Sequence, residues 1–252
     1  MRHASRLNIG FERKGPVEKF AVYFIPEGEF YDLGSSVLGY DLRKPTRQVF
    51  ARPDVREKLP GFSEEWTSRC KQYGFHMTVT DSIEFEIGAI TEIEHEIEDI
   101  LACFSPSNSF TLTALDDRFV DFFGREKNAV VLRYKPNESL KILQAVLVSR
   151  LNPIGYGSNY LRRYLRNPQE KEYSEKPHHA ARIKKFFSPT IFDSYSPHFT
   201  LLDPYSGQDR ESLKSVISGL FSKYTQITIS TLCLLLQFAP EENWIIYKEF
   251  HR

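Results

Sequence analysis

Two short runs of the chain alternate polar and apolar positions in the same way. In Tyr73-Gly-Phe-His-Met-Thr-Val-Thr80 and in Ser196-Pro-His-Phe-Thr-Leu-Leu202, a His and a Thr share one side of an extended strand. Met77 and Val79, or Phe199 and Leu201, take the other side, because successive strand side chains point to opposite faces. Each run predicts a strand that packs on a core and presents a polar pair to a cleft. With 7 His and 12 Thr in 252 residues, chance supplies roughly one third of a His-x-Thr match. One copy would be an ordinary strand histidine and threonine; two copies with apolar residues at both intervening positions argue against coincidence.

The other elements follow from periodicity. Phe20 to Ile25 predicts a buried strand stopped by Pro26, and Phe30 to Tyr40 a helix ending at Gly39. Residues 43–68, with Pro45, Pro53, Pro60 and Gly61, predict a long loop. Thr91-Glu-Ile-Glu94 has the form of a capping box, with Ile93, Ile97, Ile100, Leu101 and Phe104 at helical spacing. Strands are expected over Phe110 to Leu115 and Asn128 to Tyr134, linked by Asp116 to Lys127. A helix is expected from the N-cap Asn137 to about Leu151. After the second His-x-Thr run come a helix near Asp209, carrying Leu213, Val216, Ile217, Leu220 and Phe221 on one face, and strands over Gln226 to Phe238 and Asn243 to Phe250.

The halves share one order: opening strand, His-x-Thr strand, amphipathic helix, closing strand pair. Asn128-Ala-Val-Val-Leu-Arg133 resembles Asn243-Trp-Ile-Ile-Tyr-Lys248, and the Val130 to Tyr134 segment can double as the second opening strand. An internal duplication about a pseudo-two-fold axis is the natural reading. The expected fold class is α+β: a bilobal duplicated fold with two antiparallel sheets around a central cleft and helices outside. Residues 1–17 are expected to be a flexible arm, and residues 18–252 a single bilobal domain with a basic helical insertion at about 155–190.

Composition narrows the class. Hydrophobic residues make up 41% and aromatics 14%, as in a globular protein, and 33 Lys and Arg balance 33 Asp and Glu. No global field advertises a nucleic-acid or membrane partner. Locally, Gly155 to Pro189 carries eight Lys and Arg against three Glu. That is a flap drawing an anionic substrate to the cleft or, the preferred alternative, an ordinary solvated helical hairpin. Cys70, Cys103 and Cys233 are odd in number and widely spaced, as expected of reduced thiols in a cytoplasm. The first ten residues lack an apolar stretch, and the run near Leu232 to Leu236 is too short to cross a bilayer.

Two imidazoles facing one cleft suit a reaction that removes one proton and supplies another near neutral pH. Ester hydrolysis at phosphorus is such a reaction, with threonine hydroxyls stabilising the charge that develops on phosphate oxygens. Asp81, Asp203 and Glu84 are too few and badly phased for a dinuclear metal site. No metal or other cofactor is expected. Tyr23 is a candidate to line the cleft, or a core tyrosine. Arg133 and Lys248, at matching positions of the two halves, are candidates for phosphate contact, or solvated basic residues. His178 and His179 diverge on any regular element, and His95 lies between two glutamates on a polar helix side.

His76-Met-Thr78-Val79 and His198-Phe-Thr200-Leu201, each leading into an amphipathic helix, resemble the two-histidine (2H) phosphoesterase superfamily over about Phe20 to Phe250. Phe20 to Pro26, Leu38-Gly-Tyr-Asp41, Tyr73 to Thr78 and the long insertion are similar to a poorly characterised branch often encoded beside phosphonate-utilisation genes. Thr80-Asp81-Ser82 departs from that branch, which usually continues with basic or proline-rich residues. The resemblance implies a bilobal fold and metal-free hydrolysis or transesterification of cyclic or 2′-linked phosphodiesters derived from nucleotides, RNA ends or ribosyl phosphates. His76, Thr78, His198 and Thr200 would form the site. Hydrolysis or ligation, and which histidine is the acid, stay open. The expected partner is a small phosphodiester, with no membrane, no stable nucleic-acid complex and a monomeric state. A non-catalytic module that binds a nucleotide or RNA end is the alternative.

Overall fold

The computed structural model describes residues 19–44, 54–105, 107, 109–124, 126–239 and 242–251. The arm expected over 1–17 lies outside them. The elements run β1 (Lys19–Phe24), α1 (Gly28–Leu38), α2 (Asp54–Glu57), β2 (Met77–Thr78), β3 (Ile83–Glu84), α3 (Ile90–Ala102), β4 (Phe110–Ala114), β5 (Val120–Phe123), β6 (Ala129–Pro136) and α4 (Glu138–Leu151). They continue with β7 (Gly157–Ser158), α5 (Asn159–Arg166), α6 (Lys171–Glu175), α7 (Pro177–Phe186), β8 (His198–Leu202), α8 (Arg210–Leu220), β9 (Gln226–Ile229), β10 (Thr231–Gln237) and β11 (Ile245–His251). The fold is α+β, and no helix among the described residues is long and apolar enough to cross a membrane.

The strands join in the order β11-β10-β1-β2-β8-β6-β4-β9, with β3 bridging β1 and β7 and β5 on β6; every pairing is antiparallel. The two sheets expected around a cleft therefore run into one another through the two His-x-Thr strands, where Met77 pairs with Phe199. The order is symmetric about that pair. β1 flanks β2 as β6 flanks β8, so the Val130 to Tyr134 segment does act as the second opening strand.

The closing strands are exchanged. β10 and β11, at the end of the chain, close the half that β1 opens, whereas β4 and β9 close the half that β6 opens. The run expected as one strand from Gln226 to Phe238 breaks at Ser230 and feeds both ends of the sheet. The matching of Asn128–Arg133 with Asn243–Lys248 is therefore overturned: by position, β6 corresponds to β1, not to β11.

Local chemistry explains most boundaries. Asn137 Oδ1 accepts from Leu140 N to start α4, and Asp209 Oδ1 accepts from Ser212 N to start α8. Gly39 ends α1 in the left-handed conformation, φ 70°. The capping box does not form. α3 begins at Ile90 without a side-chain cap, and Glu94 turns instead to Lys248. The expected loop 43–68 contains α2 and a 3-10 turn over Glu64–Thr67. Behind the central strands, Phe30 of α1 meets Phe75 and Phe199 at 5.1 Å each, so the face opposite the histidines is an aromatic core.

Candidate active site

Gly74 delivers the chain to β2 with φ 67° and ψ −179°. A side chain is strained at that φ, and a Cβ there would lie 2.6 Å from Leu42 Cβ. The turn leaves the Gly74 carbonyl beside the ring of His76, whose Nδ1 lies 3.0 Å from it. The Ser196 carbonyl lies 2.9 Å from His198 Nδ1. A carbonyl oxygen only accepts, so Nδ1 carries the proton in both neutral rings and Nε2 is the acceptor. His76 Nε2 is 3.3 Å from Thr78 Oγ1, whose hydroxyl donates to it.

The sheet sets the pairs against each other. Continuing the antiparallel register one residue either side of Met77 and Phe199 puts His76 across from Thr200 and Thr78 across from His198. Directly opposed Cβ atoms are about 4.5–5.5 Å apart. All four side chains are half-buried, while Phe75, Met77, Phe199 and Leu201 between them are buried. The alternation read from the sequence thus becomes one polar face on two neighbouring strands.

The surroundings of the two rings differ. Tyr23, paired with Thr78 across β1, stacks on His76 with centroids 3.9 Å apart and an 18° interplanar angle. Tyr73 lies 6.3 Å from His76, and Trp244 lies 5.9 Å from Tyr23. This apolar setting pushes the His76 pKa down to about 4, chiefly through burial; the Gly74 carbonyl opposes the shift and the charge of His198 adds to it. Burial, then Tyr73 and Asp81, raise the Tyr23 phenol, so it stays protonated.

His198 packs against Phe123 at 4.6 Å and pairs in register with Arg133 on β6. Its pKa is also lowered, first by burial and then by the Arg133 charge, against the Ser196 carbonyl. Arg133 is pinned: Nη1 donates to Asp121 Oδ2 at 2.8 Å, Nη2 donates to Ser196 Oγ at 3.1 Å, and the guanidinium lies 5.5 Å from the Phe123 ring.

Lys248 is elsewhere. Its backbone opposes Leu234, which opposes Val22, so it lies three strands from β2 on the face opposite Tyr23. Its ammonium donates to Glu94 Oε2 at 2.9 Å and Glu98 Oε1 at 2.6 Å. The expected equivalence with Arg133 failed because it assumed that each half closes with its own strands.

Sequence reasoning passed over three residues that shape the site. Asp121 and Phe123 belong to β5, which was read as a link, although Val120-Asp-Phe-Phe123 is a short aromatic and β-branched run. Asp81 was weighed only as a metal ligand, and rejected, and as a departure after the first motif. Its carboxylate accepts from Ser188 Oγ and, at 2.8 Å, from Thr190 Oγ1, which ties the far end of the 155–190 segment to the first His-x-Thr strand. Nothing local signals a contact across 107 positions. Among the described residues no group of three or more His, Cys, Asp or Glu could hold a metal ion.

No family model matches the chain, and no curated protein matches it. Among solved structures, it is similar to E. coli LigT complexed with phosphate at 13% identity and TM-score 0.41, and to E. coli LigT complexed with 3′-AMP at 11% and 0.42. It is also similar to a crystal structure described as a phosphoesterase, at 14% and 0.43. Each covers 94% of this chain and 98% of the other. At such identities and scores the likenesses carry no weight toward function.

Proposed function

We propose that the protein is a metal-independent phosphodiesterase that opens a cyclic phosphate or a 2′-linked phosphodiester of a nucleotide, RNA end or ribosyl phosphate. The observation behind this is the pair of adjacent His-x-Thr strands, with both rings held by carbonyls at Nδ1 so that both Nε2 atoms are left as acceptors, that of His76 taking the Thr78 hydroxyl. His76 Nε2, kept neutral by its apolar surroundings, takes a proton from water as the water oxygen bonds to phosphorus. His198 Nε2, protonated by the approach of the anionic substrate, gives its proton to the departing ribose oxygen as the P–O bond breaks. As substrate binds, the Thr78 hydroxyl turns from His76 Nε2 to a non-bridging oxygen, which frees that nitrogen for the water; Thr200 donates to a non-bridging oxygen as well, and Arg133 supplies fixed positive charge beside them. The substrate is small, and the enzyme acts as a cytoplasmic monomer without membrane attachment.

The test is product formation from 2′,3′-cyclic nucleotides, 2′,5′-linked dinucleotides and ribose cyclic phosphates in EDTA. Replacing His76 or His198 with Ala is expected to lower kcat by about 10²–10⁴-fold. Normal turnover by His76→Ala would rule the mechanism out, and tight binding without product would point to a binding module.

A further inference from the structure

An open cavity of about 1070 Å³ lies between β5, the start of α8 and the α5–α6 part of the 155–190 segment. Neither His76 nor His198 lines it. Its inner wall, however, includes Phe123, whose ring packs on His198, and Arg133, which is bonded to Ser196. The cavity therefore adjoins His198 through Phe123 and Arg133.

The lining carries eight Lys and Arg against five carboxylates. Four cations engage all five acids: Arg133 holds Asp121 at 2.8 Å, Arg163 holds Glu170 and Glu172, Lys171 meets Glu175 at 3.3 Å and Lys214 meets Glu211 at 3.9 Å. Arg118, Lys127, Lys176 and Arg210 remain. None of these has a carboxylate within ion-pair distance among the described residues, and all four are exposed. They come from separate segments and converge on one space.

The helix dipole does not account for Arg210. It is the first residue of α8, where the positive end of the helix dipole disfavours a cation. Its guanidinium lies 4.5 Å from the Phe122 ring, which holds it along the cavity wall.

We infer that this cavity is a subsite for a second phosphate group of the same substrate, on the leaving-oxygen side of the scissile phosphodiester. The inference rests on the phosphodiesterase activity proposed above. The second phosphate belongs either to the 5′ position of the same nucleoside or to the next linkage of a short oligonucleotide. Both offer the same tetrahedral anion to Arg118, Lys127, Lys176 and Arg210.

The test compares adenosine 2′,3′-cyclic phosphate, its 5′-phosphorylated form and a dinucleotide ending in the same cyclic phosphate. Each is assayed with the wild type and a Lys176→Ala/Arg210→Ala variant, whose changes are on exposed side chains. Wild type is expected to turn over at least one two-phosphate substrate with kcat/KM about ten-fold or more above the bare cyclic nucleotide. Which of the two gains identifies the source of the phosphate. In the variant the gain falls below about three-fold, with the bare substrate unaffected. Equal kcat/KM for all three in wild type, or a gain that survives the double substitution, overturns the subsite. If wild type turns over none of the three, the activity assignment fails separately. The subsite is then read from binding of an uncleavable 5′-phosphorylated dinucleotide: about ten-fold tighter binding by wild type than by the variant supports it, and equal affinity overturns it.

Discussion

Replacing Lys248 with Met separates a structural lysine from a substrate-binding one. The Lys248 side chain is 7% exposed and that of Glu94 is 3%, with their charged atoms 2.9 Å apart. Burial alone lowers the lysine's pKa, but bonds to Glu98 and Glu94 outweigh it, and the net shift is upward. Met keeps most of the apolar stem, so little cavity forms. What is lost is the ammonium, leaving the Glu94 carboxylate buried without it; removing one partner of such a pair costs about 3–5 kcal/mol. For a chain of this length, each kcal/mol shifts Tm by about 2–4 °C, so Tm should fall on the order of 10 °C. Thermal unfolding by circular dichroism at pH 7, with turnover at 25 °C, reads both effects. Activity should stay within about two-fold of wild type. Adding Glu94→Leu should restore most of the stability, because exchanging both members of a buried pair for apolar residues is often neutral. An unchanged Tm together with lost turnover would place Lys248 in the cleft and refute the exchanged-strand assignment.

Three further outcomes are expected. The folded-state pKa of His76, about 4, lies below the unfolded value of about 6.5, so the unfolded chain takes the proton first. Stability from this group is complete above about pH 6.5 and is lost as pH falls to 4, on the order of 3 kcal/mol in all; urea midpoints of His76→Gln should show a weaker acid decline than wild type, and identical declines would contradict the burial of the ring. Gly34→Ala should destabilise by about 1–3 kcal/mol despite alanine's helix preference, since a Cβ there would lie 2.2 Å from the Phe75 ring; a denaturant midpoint at or above wild type would argue against that packing. A diester with a p-nitrophenyl leaving group needs no acid, so His198→Ala should lose at least ten-fold less activity on it than on a cyclic nucleotide, whereas His76→Ala loses equally on both. The reverse pattern would exchange the two roles.

The local features of this fold were legible in the sequence, and its long-range connections were not. Alternation at His76–Val79 and His198–Leu201 gave the polar face, because strand geometry acts over two residues and needs no distant partner. Asn137 and Asp209 were readable as helix starts for the same reason. The exchange of β10 and β11 for β4 and β9 leaves no mark in local pattern, since each strand is equally apolar in either half. Lys248 was misplaced on that account. Glu94 shows how tertiary contact overrides a local rule: its side chain would complete a capping box, yet a buried ammonium 154 positions away takes it.

The site's approximate two-fold symmetry is broken where acid and base chemistry needs it broken. Arg133 opposes His198 in register, whereas the residue that register continuation places across from His76 is Ile25, which is buried and apolar. On the proposed reading an incoming phosphate meets the fixed charge of Arg133 beside His198, and its own negative charge counteracts the lowering that Arg133 imposes there. His76, stacked against Tyr23 and opposed by the apolar Ile25, is lowered further when His198 is charged. Two rings with the same tautomer and the same strand position thus meet different neighbours, which in the proposed mechanism suits His198 to donate and His76 to accept. The cavity with four uncompensated cations adjoins the donor's side. If the body of the substrate lies there, its ribose oxygen is the one that departs beside His198, and the attacking water is left facing His76.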